Sequence, residues 1–116
     1  MARILVCEPN PEVRGLLGHV VARLGHETVY AEMAPGDVVD HDVDVLLLEP
    51  ADPRGLSIAQ VLRLRREELP IVCASIYPQT PHSRRLDPVA YLVKPFALGE
   101  LERALAAAVD GVSVAA

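Results

Sequence analysis

Four polar side chains each stand directly after an apolar run in this 116-residue chain. Glu8 follows ILVC (4–7), Glu49 follows VLLL (45–48), Ser75 follows IVCA (71–74) and Lys94 follows VAYLV (89–93). A carboxylate costs several kcal/mol to take out of water unless something compensates it. Glu49, at the end of VDVLLLE and followed by Pro50 and Pro53, therefore needs an edge that water or a cation reaches, or has work to do there. Lys94 is the matching cation. Of eleven basic residues, ten are Arg and this is the single Lys, a compact ammonium able to enter a tight site where a guanidinium is not equivalent.

The elements that position these four are legible in the hydrophobic pattern. The apolar runs lack the alternation of half-exposed strands, which predicts strands covered on both faces, as in a parallel sheet. ETVYA (27–31) is a fifth, more polar strand and an expected edge. Between them fall helices. Asn10 as N-cap and Pro11 at the first helical position precede Val13, Leu16, Leu17, Val20 and Leu24 at helical spacing, and Gly25 supplies a stop. Ser57 is expected to cap a helix carrying Ile58, Val61 and Leu62, ending before Pro70. A last helix is expected from near Leu98, carrying Leu101, Leu105 and Val109 and ending before Gly111. The stretch 32–43 offers only a short second helix around Asp37 to Asp40. Pro78, Pro81 and Pro88 leave any fourth helix brief or broken.

Alternating strands and helices, with no repeats or linkers, predict one α/β domain over residues 1–116, doubly wound with right-handed crossovers. With strand order 2-1-3-4-5, Glu8, Glu49, Ser75 and Lys94 come from neighbouring strands at one carboxyl edge, where ligand crevices form. Strands lie ~4.8 Å apart, so the four would line a small cleft.

In that order ILVCEPNPEVR, DVLLLEPADP, LPIVCAS and YLVKPF resemble the receiver domain of two-component response regulators, a flavodoxin-like (βα)5 fold, over nearly the whole chain. The resemblance implies that an Asp at the third strand's end accepts a phosphoryl group from a histidine kinase. It implies an acidic pair holding Mg²⁺ after the first strand, and a Ser or Thr and a Lys contacting the phosphoryl oxygens. Carried over by motif, Ser75 and Lys94 stand at those last two positions. Tyr91 stands at the switch aromatic, and Pro95 at the proline whose peptide bond is cis. The departures are equally specific. Glu49 replaces the acceptor Asp, the acidic pair reads Glu8–Pro9, Gly55 comes sooner than the usual glycine, and prolines disrupt the fourth-helix region.

Mg²⁺ wants near-octahedral oxygen ligands at ~2.0–2.1 Å. Glu8 and Glu49 are weak candidate ligands, each longer by a methylene and lacking the second carboxylate at position 9. A misplacement of ~1 Å costs ~10²-fold in rate, so efficient phosphoryl transfer to Glu49, or to Asp52, is not expected. No catalytic residue and no cofactor is expected, and Mg²⁺ binding is expected to be weak or absent. The chain is read as a non-enzymatic, stand-alone pseudo-receiver, independent of phosphorylation and acting through protein partners in signalling. If Ala116 is its natural end, output must pass through another protein. Glu49 either mimics phosphorylation, with a charge of about −1 against ~−1.5 to −2 for a phosphate group, or forms a structural ion pair with Lys94. The ion pair is the favoured reading. The rivals are a working receiver and a flavodoxin-like small-ligand binder. The loop EPNPE lacks the Gly or Ser/Thr cluster that would cradle a phosphate for the latter.

The rest of the composition narrows the class. A net charge of −5 and Arg scattered over several segments argue against nucleic acid as a partner. No apolar run approaches the ~20 residues of a membrane span, and the four apolar residues before the first acidic charge in MARILVCEP are too few to read as a signal peptide. Cys7 and Cys73 have no CxxC partner and read as buried free thiols of a reducing cytoplasm. Aromatics are limited to Phe96 and tyrosines 30, 77 and 91, so the core must be aliphatic. His19, His26, His41 and His82 read as surface residues without metal-ligand spacing. Arg63, Arg65 and Arg66 read as a solvated helix face, with docking to an acidic partner as the alternative. The smooth last helix, with Ala104, Ala106, Ala107 and Ala108, would suit a homodimer through the fourth-helix region, fifth strand and last helix.

Overall fold

A computed structural model describes residues 1–30 and 42–115, with side chains as far as residue 111. The short second helix expected around Asp37 to Asp40, and His41, lie outside the described residues. The strands are β1 (Arg3–Cys7), β2 (Glu27–Tyr30), β3 (Val45–Leu48), β4 (Ile71–Ser75) and β5 (Ala90–Val93), and the helices α1 (Pro11–Arg23), α2 (Pro53–Arg65), α3 (Pro81–Arg84) and α4 (Leu98–Ala115). The strands form one parallel sheet in the order β2-β1-β3-β4-β5, as expected.

Strand side chains alternate between two layers, and both layers are covered. On one face Ile4, Val6, Val45, Leu47 and Val72 pack under Leu17, Val20 and Val21 of α1 and Leu101, Leu105 and Ala108 of α4. On the other, Leu5, Leu46, Leu48, Ile71 and Cys73 pack under Ile58, Ala59 and Leu62 of α2 and under Leu86. This explains the continuous apolar runs: successive residues point to opposite faces, and β3, β4 and β1 beyond Arg3 are buried on both. Each fully buried aliphatic side chain contributes about 1.5–3 kcal/mol of transfer free energy. The core is aliphatic, as the scarcity of aromatics required.

The strand β5 departs from that rule. It is the sheet's second edge and only partly buried, with Val93 48 % exposed. A run of apolar residues reports hydrophobicity, not whether a further neighbour exists.

Helix α1 begins and ends as its sequence predicts. Asn10 Oδ1 accepts from the amides of Glu12 and Val13, at 2.9 and 3.3 Å, and Gly25 leaves the helix at a φ of +85°. Leu16, placed on its apolar stripe by spacing, is instead half exposed, because Leu17, Val20 and Val21 suffice to cover the sheet.

Helix α2 starts ahead of the expected cap Ser57. Asp52 is the N-cap and Pro53 the first helical residue, the same device as Asn10–Pro11. Ser57 lies within the helix and donates to the Pro53 carbonyl at 3.1 Å. Gly55 is buried in the first turn, where a Cβ would come within 2.5 Å of Leu48 Cδ1 and 3.3 Å of the Glu49 carbonyl oxygen. The early glycine is thus what lets α2 close onto the end of β3.

The last helix runs through Gly111 instead of ending before it. Glycine stops a helix by turning left-handed, and among the described residues only Gly25 and Asp87 have positive φ. The helix among the prolines is brief, as expected: α3 has four residues, capped by Thr80 with Pro81 in its first turn. No described helix is long and apolar enough to cross a membrane.

Candidate functional site

The carboxyl edge of the sheet brings Glu8, Glu49, Ser75 and Lys94 together. Backbone bonds just beyond the strands fix their entry: the Glu49 amide donates to the Cys7 carbonyl at 3.0 Å, and the Lys94 amide to the Ser75 carbonyl at 2.7 Å. The Lys94–Pro95 peptide bond is cis, in line with the receiver-like motif.

Lys94 sits between two buried carboxylates. Its Nζ donates to Glu8 Oε1 at 2.5 Å and to Glu49 Oε2 at 3.1 Å; both glutamates are 7 % exposed. Burial alone would lower the Lys94 pKa, but its hydrogen bonds to Glu8 and Glu49 and their negative charges outweigh this, leaving it above the ordinary value. The ion pair read from the sequence is therefore a triad, because Glu8 joins it. The remaining oxygens are also engaged. Glu49 Oε1 accepts from the Ser75 hydroxyl at 2.7 Å and the Ala51 amide at 2.9 Å. Glu8 Oε2 accepts from the Asn10 amide at 3.2 Å.

The two carboxylates of the cleft are committed within the protein. All four carboxylate oxygens of Glu8 and Glu49 accept protein hydrogen bonds, and the ammonium occupies the space between them. Pro9 is exposed and brings no ligand. Asp52 caps α2, accepting from the Arg54 amide at 3.2 Å, and its carboxylate pairs with Arg54. Among the described residues no group of three or more His, Cys, Asp or Glu could hold a metal.

A second set of bonds leads away from Glu49. Ser75 Oγ accepts from the Tyr77 amide at 3.2 Å, and the Tyr91 hydroxyl donates to the Tyr77 carbonyl at 2.8 Å. The Tyr91 ring packs against the core layer under α2, and burial is the main cause raising its hydroxyl pKa. A cavity of about 90 Å³ lies among Pro50, Ser75, Thr80, Ser83 and Tyr91.

Other sequence candidates fall elsewhere. Cys7 and Cys73 are buried free thiols, each pushed from the ordinary 9.0 up to about 12, chiefly by burial. His19 and His82 are exposed. His26 is more than a surface residue, since its Nδ1 accepts from the Ala2 amide at 3.1 Å and secures the start of β1. The arginine cluster is divided. Arg63 Nε donates to the Leu69 carbonyl at 2.9 Å, Arg66 donates to the Val43 carbonyl, and Arg65 stays exposed. Sequence reasoning missed the amides of Asn10 and Ala51 as carboxylate donors and Asp52 as a cap. Only the last had a readable signal, the Asp–Pro pair repeating Asn10–Pro11.

No family model and no curated protein matches the chain. Solved structures do. A CheY-like response-regulator receiver domain protein from Methanospirillum hungatei JF-1 superposes with a TM-score of 0.85 at 15% identity, covering 100% of this chain and 99% of that one. The response regulator TrrA from Thermotoga maritima, solved in complex with Mg(2+)-BeF, gives 0.78 at 25% identity over 93% and 99%. NtrX from Brucella abortus gives 0.81 at 22% identity, covering 97% of this chain but 27% of that one. What these share with the chain is the fold.

Proposed function

From the premise that this chain has the CheY-like receiver fold of two-component response regulators, we propose that it is a pseudo-receiver, a non-enzymatic signalling module that works without phosphorylation by binding other proteins. One observation carries this reading: Lys94 bridges Glu8 and Glu49, and every oxygen of both carboxylates already has a protein donor. Phosphoryl transfer depends on positioning and charge neutralisation. Here the neutralising charge is internal and the acceptor oxygens are committed. Glu49 is read as a structural anchor that holds Ser75, and through Tyr77 also Tyr91, in one arrangement.

The test is a titration of the ¹⁵N-labelled protein with beryllofluoride and millimolar Mg²⁺, followed by amide resonances. The expected result is no movement at Ser75, Lys94 or Tyr91. Saturable shifts at those residues would instead identify a working receiver.

A further inference from the structure

Six of the eleven Lys and Arg residues lie between Arg54 and Arg85, and the fold gathers part of them around one groove. Helices α2 and α3 enclose a depression of about 390 Å³, within the ~300–1,000 Å³ of ligand-sized pockets. Leu56, Leu64 and Leu86 supply its apolar lining, and Arg63, His82 and Arg85 its basic rim. Leu86 is a core residue, Leu56 is half buried, and Leu64 is 88 % exposed. A lone exposed leucine is ordinary. This one extends an apolar floor bordered by Arg63 and Arg85.

Charge decides what fits. No acidic side chain lines the groove among the described residues; Glu67, Glu68 and Asp87 line a separate depression that Arg63 also borders. On a chain of net charge −5 this is a local reversal of sign. Arg63 is held through Nε by the Leu69 carbonyl, which fixes its planar fork, and forks of this kind bind carboxylates well. The opening of the groove around so exposed a leucine favours a chain segment over an enclosed small molecule.

We propose that this groove receives an acidic amphipathic segment of another protein, its apolar side chains on Leu56, Leu64 and Leu86 and its carboxylates on Arg63 and Arg85. The proposal deepens the reading of the chain as a protein-binding module and rests on it only for there being a partner. It uses no residue of the Glu8–Lys94–Glu49 cleft, so either can fail alone.

The test uses two synthetic helical peptides with the same leucine stripe at i, i+4 spacing, one carrying glutamates between the leucines and the other lysines. Titrated into the ¹⁵N-labelled full chain, the glutamate peptide is expected to shift amides of Leu56, Leu64, His82 and Leu86. Leu64→Ala and Arg85→Glu each weaken it by about tenfold, the scale of a contact that matters at an interface, while the Ser75 and Lys94 amides stay in place. Equal binding of the lysine peptide, no shift with millimolar glutamate peptide, or shifts of the same amides on concentrating the protein alone would each overturn the proposal. The last result would mean that a second copy covers the groove.

Discussion

The buried Ser75 hydroxyl donates to Glu49 Oε1 at 2.7 Å. A hydroxyl has one proton to give, so this donor is committed to a side chain of the chain itself. Its lone pairs face the Tyr77 amide, and Tyr77 in turn accepts from Tyr91. The end of β3 and the aromatic on β5 are therefore joined by three hydrogen bonds without any added group.

Charge removal in the cleft should be asymmetric. Lys94→Met leaves two buried carboxylates facing each other with no cation, the uncompensated case that costs about 3–5 kcal/mol. Glu8→Gln or Glu49→Gln leaves Lys94 paired with the other glutamate and keeps an amide oxygen as acceptor, so each should cost about 1–2 kcal/mol. Urea denaturation of the three variants measures the order. A Lys94→Met protein as stable as the wild type would show that the triad is idle.

The alkaline limb of stability follows from the same residue. The folded-state pKa of Lys94 is raised above its ordinary 10.5. Its contribution is thus complete below the unfolded value and lost as pH rises through the folded one. Cys7 and Cys73, raised from 9.0 to about 12, act with the same sign from a lower starting point, since the unfolded chain releases thiol protons that the folded chain retains. Stability should begin to fall near pH 9 and fall further above pH 10.5. Lys94→Met should flatten only the upper part. Denaturation midpoints across this range separate the two.

Much of this site could be read before any coordinates. Continuous apolar runs located β1, β3 and β4, and a polar residue after each run marked the carboxyl edge. That edge held because strand ends in a parallel sheet are set by one register, Cys7 opposite Leu48 and Leu48 opposite Cys73. Other features were not legible, for definite reasons. Spacing placed a stripe on α1 but not how much of it the sheet would need, so Leu16 was misplaced. Gly111 looked like a stop because composition does not report φ. The sequence put Glu8 in the cleft but favoured Glu49 alone as the partner of Lys94, because the reach of Glu8 to the same ammonium depends on β1 lying beside β3. The approach of Arg63 to His82 and Arg85 depends on how α2 and α3 sit on one face of the sheet, which no local pattern encodes.

Aspartates at positions 9 and 49 should together create a Mg²⁺ site. Glu49→Asp alone shortens the acceptor and withdraws it from the Ser75 hydroxyl and the Ala51 amide. It leaves position 9 without a ligand and Lys94 still bound to Glu8, so Mg²⁺ binding should remain poor. Pro9→Asp with Glu49→Asp supplies the missing oxygen next to Glu8, while the shorter side chain at position 49 leaves room for the ion between the two strand ends. Mg²⁺ prefers such a set of carboxylates, with water completing its octahedron. Calorimetric titration should therefore give no resolvable heat for the wild type and the single variant, and saturable binding for the double variant. Tight binding by the wild type would mean that Lys94 yields its place to the ion, and the internal cation would no longer account for the cleft.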